Sequence, residues 1–167
     1  MPLFSIVNIF VFQAAWFSAA ILREQALWIM IPLLLAHLYF SPSRRADFTL
    51  LMYLLPLALV VEAILLFGNI VIYNSLWTLP IWMVLLWTHL ILSCNHSLKW
   101  LQTTPIIWVV ILGGLVGVSS YAAGSNFGSM KIVVPQLHNL VLIGVMWAII
   151  MPVMSRVAKS VSRRVAQ

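Results

Sequence analysis

The chain has 167 residues, 63% of them hydrophobic and 7% charged, with a formal net charge of +6. A soluble domain is about 25% charged, so water is excluded as the solvent for most of this surface and lipid takes its place. The charge is not a nucleic-acid footprint: Arg156, Lys159, Arg163 and Arg164 crowd the last twelve positions, and no aromatic side chain interleaves with them to stack bases.

Six apolar stretches follow one another, at about 3–22, 26–40, 48–67, 80–98, 105–123 and 137–155. They do not alternate, so they read as helices rather than barrel strands. The first has no Lys or Arg before Arg23. It lacks the basic start of a secretory signal and is expected to be a mature helix. The second is short and holds Pro32; it spans by drawing in Arg23–Gln25, whose long side chains snorkel to the interface. Between the third and fourth stretches, residues 68–79 carry no charge. They read as a surface loop anchored by Tyr73 and Trp77, the alternative being a segment that re-enters the bilayer. In the fifth, Gly113-x-x-x-Gly117 permits close helix approach, and the polar face of the fourth is a candidate partner. After the sixth, valines at 153, 157, 161 and 165 alternate with the basic residues. That pattern predicts an amphipathic basic tail on the inner membrane surface.

The expected fold is therefore an all-α membrane protein: a polytopic bundle of about six transmembrane helices over residues 1–155, with 156–167 as the tail. Arg44, Arg45, Lys99 and the four tail cations fall on one side, seven in all, against Arg23 and Lys131 on the other. Basic residues collect in the cytoplasm, so both ends are expected inside.

Glu62 lies in a stretch where nearly every other residue is apolar. A carboxyl group in hydrocarbon is costly and marks a functional site by default. In the fourth stretch, His89, Ser93, His96 and Trp100 share one helical face, flanked by Thr88 and Asn95. Helical rise places Glu62 about 8 Å and His89 about 14 Å from the outer ends of their helices, so His89 is the expected partner of Glu62, with Tyr121 nearby. A second layer of Asn8, His37, Asn95, His96 and Lys99 falls near the cytoplasmic side. It reads as net basic and able to hold a phosphate head group. The bland reading of both layers is interhelical hydrogen bonding, and of Glu62 a neutral carboxyl making one structural bond. Lone Cys94 forms no internal disulfide, and there is no CxxC, HExxH, GxSxG, P-loop or dinucleotide motif. No metal or cofactor is expected on this pattern; a haem between His37 and His96 has no further support.

Asn8, Phe12-Gln13 and Trp16, then Ser41-Pro42 with Arg44-Arg45, then Glu62, form a recognisable series. It continues with Leu92–Trp100, read L-S-C-N-H-S-L-K-W, and Gly113-Gly114…Ser120-Tyr121…Gly124. On these the chain resembles the bacterial inner-membrane family known as domain of unknown function 2878 (DUF2878). Departures are Glu62 where the family often has Asp, and no Pro before Tyr121. The resemblance implies a multi-pass protein of the bacterial inner membrane and no established activity. It also implies lipid-modifying enzymes of the cyclopropane fatty-acid synthase type as neighbours. The leading expectation is an accessory, non-enzymatic factor that binds a membrane lipid for a modifying enzyme. The alternatives are a small proton-coupled permease, its missing half supplied by a homo-oligomer, and a membrane-embedded enzyme using Glu62 with His89 or His96. Nucleic acid is not an expected partner.

Overall fold

A computed structural model describes residues 3–165; positions 1–2 of the expected transmembrane domain and 166–167 of the expected tail lie outside them. The described residues form six α-helices: α1 Leu3–Leu22, α2 Leu27–Phe40, α3 Arg44–Phe67, α4 Ile81–Ser93, α5 Ile106–Asn126 and α6 Gln136–Val165. Two short strands, β1 Val71–Tyr73 and β2 Met130–Ile132, pair antiparallel. Four helical stretches are long and apolar enough to cross a membrane: Leu3–Phe40, Arg44–Phe67, Ile106–Asn126 and Gln136–Val165.

The first of these four is not straight. Asn8 and His37 are 29 residues apart, about 44 Å along one unbroken helix. Yet Asn8 Nδ2 lies 3.3 Å from His37 Nδ1. The chain folds back through a 3₁₀ turn at Arg23–Ala26, where Arg23 has φ +54°, so α1 and α2 are an antiparallel hairpin.

Helix α4 is buried on every side from Trp87 to Ser93, the signature of a central helix. Its 13 residues span about 20 Å, and it then loosens. The Leu98 N–H reaches back to the Ser93 carbonyl at 2.8 Å, and a 3₁₀ turn follows over Lys99–Gln102. Such irregular backbone is tolerated at depth only where protein surrounds it, and Cys94, Asn95, His96 and Ser97 are all buried. The expected single polar face of this segment is therefore broken. Ser93 bonds its own helix at the His89 carbonyl, and Trp100 is exposed.

Helices α5 and α6 form the most extensive interface, and glycine makes it. A Cβ at Gly113 would stand 2.6 Å from Met151 Cβ, and one at Gly117 only 2.1 Å from Trp147 Cγ. The Gly113–Gly117 pair thus faces α6, not the polar side of α4. Across the end of the bundle, Val71 pairs with Ile132 and Tyr73 with Met130. Residues 68–79 are consequently not a loop anchored through Tyr73, which is buried. They hold a strand with Val71 and Tyr73 turned inward and Ile72 outward, while Trp77 stays exposed. The valine-rich tail continues α6 without a break to Val165. Met154, Ala158 and Val161 are buried against the bundle.

Candidate functional site

Two polar clusters hang from one helix. The buried side of α3 runs Asp47, Leu50, Leu54, Ala58, Val61 and Leu65, steps of three and four that define one stripe, with Glu62 beside Val61 and four residues from Ala58. Its two acids are 15 residues apart, about 22 Å, and both are fully buried.

At the β-strand end, three donors converge on Glu62. Trp87 Nε1 donates to Oε1 at 2.7 Å, the Tyr121 hydroxyl donates to the same oxygen at 2.5 Å, and the Tyr73 hydroxyl donates to Oε2. Among the described residues no cation touches it; hydroxyl and indole N–H groups satisfy the carboxyl oxygens instead. The Trp147 ring stacks on Trp87 with centroids 5.0 Å apart and an interplanar angle of 11°, and meets Tyr121 edge-on. Tyr121, expected only nearby, is therefore a partner of Glu62, and His89, the expected partner, is not. Trp87 and His89 are two residues apart on α4, about 200° around the helix, so only one of them can face α3. His89 turns to α2 and lies 3.1 Å from the Met30 carbonyl.

At the other end, Asp47 gathers the second cluster. The Ser41 hydroxyl donates to Oδ2, Asn95 Nδ2 lies 2.7 Å from Oδ1, and His96 Nε2 stands 2.9 and 3.1 Å from the two oxygens. His37 Nε2 follows at 3.5 Å. Asn8 joins through His37, and its Oδ1 accepts the N–H and O–H of Ser97 at 3.2 and 2.5 Å. Asn8, His37, Asn95 and His96 therefore meet as the spacing suggested. Lys99 does not: it begins the 3₁₀ turn and is exposed. With Asp47 at the centre and Lys99 outside, the layer is not the basic phosphate cradle it resembled in sequence. Asp47 lies just outside the third apolar stretch, which starts at Phe48 in the sequence. Extending its helical stripe one turn backward is the signal that finds it. Tyr73 carries no such signal, since a three-residue strand has no pattern to read.

Beside the Glu62 cluster a half-open cleft of about 500 Å³ separates α1 from α5. Phe12, Trp16, Leu112 and Val116 line it, and Trp87, Tyr121 and Trp147 form part of its wall. Glu62 thus sits one side-chain layer behind an apolar cleft. Next along the chain, Gln102–Ile106 and Arg156, Lys159, Arg163 and Arg164 line a separate basic groove. Leu101 belongs to the cleft and Gln102 to the groove.

The family described as "Protein of unknown function (DUF2878)" matches residues 5–153, most of the chain and both clusters. No curated protein and no solved structure matches it.

Proposed function

The chain belongs to the DUF2878 family of proteins of unknown function, and for this member we propose phospholipid binding within the membrane. The observation that carries the reading is the adjacency of cleft and groove. The cleft is apolar, aromatic-walled and of the size of small-molecule sites, roughly 300–1,000 Å³. The groove beside it presents four cations and the start of α5, where free backbone N–H groups favour phosphate. An acyl chain lies in the first and the phosphate in the second. This moves the head group from the Asp47 layer to the α5–α6 groove. The protein is then an accessory factor that holds a lipid for a modifying enzyme, as a multi-pass protein of the bacterial inner membrane.

Six crossings with both ends in the cytoplasm suit this reading. Arg44, Arg45 and the cations of α6 lie at the Asp47 end, and Arg23 and Lys131 at the strand end. The test is native mass spectrometry of the detergent-purified protein with phosphatidylglycerol and phosphatidylethanolamine. Val116→Trp, which fills the cleft, is expected to weaken both lipids. Lys159→Gln with Arg163→Gln is expected to weaken phosphatidylglycerol roughly thirtyfold, at about 1 kcal/mol per cation. Lipid binding that ignores both changes refutes the proposal.

A further inference from the structure

We propose that His37, Asp47 and His96 form a binding site for a divalent transition metal of the zinc class, independent of the lipid cleft. One ligand atom from each lies within 4.8 Å of the others. The three come from the end of α2, the start of α3 and the loosened segment after α4, so a metal there would tie three elements together.

Two of the three spacings suit coordination, and the third, between the two histidines, is no more than 4.8 Å. Ligands about 2.1 Å from a tetrahedral zinc stand about 3.4 Å from one another. Asp47 Oδ2 is 3.5 Å from His37 Nε2 and 3.1 Å from His96 Nε2. An independent observation points the same way. His37 is only 5% exposed, and its Nε2 has no hydrogen-bond partner. That atom is aimed at Asp47 from just beyond hydrogen-bond range. A buried unpartnered nitrogen is costly, and a metal between the three side chains removes that cost. Ser41 and Asn95 hold the carboxylate from behind, as the outer shell of a metal site does. Two imidazoles and one carboxylate leave a fourth position open for water.

Asn8 sets the sharpest condition. Its Oδ1 is turned to the Ser97 N–H, which leaves its amide nitrogen facing His37 Nδ1. Metal binding through Nε2 places the proton on Nδ1, so Asn8 must turn its oxygen to the ring. Asn8→Asp offers one oxygen to Ser97 and the other to Nδ1–H, completing a carboxylate–histidine–metal relay.

The test is titration of the purified full-length protein with Zn²⁺ against a chromophoric chelator, with Co²⁺ as spectroscopic probe. The wild type is expected to bind one equivalent and to give the visible absorption of tetrahedral Co²⁺. His37→Ala and His96→Ala should each weaken binding at least a hundredfold. Asn8→Asp should tighten it about tenfold. Folding is checked by far-UV circular dichroism and gel filtration; should the histidine variants not fold, wild-type stoichiometry and the Asn8→Asp shift decide. A folded wild type that binds no Zn²⁺, binding unchanged in both histidine variants, or binding unmoved or weakened by Asn8→Asp overturns the proposal.

Discussion

Gly117→Ala is the most revealing single change, because one methyl group there reaches Glu62 through two tryptophans. The new Cβ would stand 2.1 Å from Trp147 Cγ and 2.4 Å from its Cβ and Cδ1. Ordinary carbon contacts begin near ~3.5 Å, so Trp147 must retreat by about 1 Å or more. Its Cβ is tied to the α6 backbone and cannot swing aside alone. Over-packing of this kind costs about 1–3 kcal/mol. The displaced ring also presses on Trp87, stacked at 5.0 Å, whose Nε1 donates to Glu62 at 2.7 Å. Loss of that bond leaves a buried donor unsatisfied and adds about 1–3 kcal/mol. The sum is about 2–6 kcal/mol, or roughly 4–24 °C in Tm for a chain of this length. Thermal unfolding in detergent measures the stability, and the near-UV circular dichroism of the stacked tryptophans measures their geometry. Gly114→Ala is the control, since its Cβ meets the Gly144 carbonyl at 3.2 Å and little else. A Gly117→Ala protein with wild-type Tm and wild-type near-UV signal refutes the α5–α6 packing and the chain of contacts to Glu62.

Three further outcomes are expected. Glu62→Gln keeps an acceptor for Trp87 and Tyr121, and its amide nitrogen can donate to the Tyr73 hydroxyl, so unfolding should shift by less than about 1 kcal/mol; Glu62→Leu strands all three donors and should cost several kcal/mol, and equal Tm values for the two variants would contradict the assigned bonds. His89→Ala should lower stability by about 1–3 kcal/mol through the lost Met30 contact while leaving the tryptophan near-UV signal intact; a changed signal would mean that His89 supports the Glu62 cluster after all. Asn69, at φ +53° just past α3, tolerates Gly, whereas Asn69→Val should cost about 1–2 kcal/mol in chemical unfolding; a neutral valine would argue against the left-handed turn that leads into β1.

Apolar excess over charge decides the solvent by itself, because no arrangement of so few polar side chains covers this much hydrocarbon in water. Period also reads cleanly along a single helix. It places Glu62 on a buried stripe, puts Asn8 and His37 near one level once the chain turns at Arg23, and separates two polar layers. Tyr121 beside Glu62 follows from depth alone. Depth, however, says nothing of direction around a neighbouring helix. Trp87 and His89 are nearly equal in height, and the packing of α4 between α2 and α3 decides which of them meets the acid. The same holds for Gly113 and Gly117, whose spacing announces a close partner without naming α6. Tyr73 reaches Glu62 only because β1 pairs with β2, a contact between residues about 60 apart that no local pattern encodes. Asp47 becomes the hub of its layer only when α3 starts at Arg44 and the backbone after Ser93 departs from helix. Composition and period are properties of one segment; the partners of a buried polar group belong to the packing between segments, and only the tertiary structure specifies them.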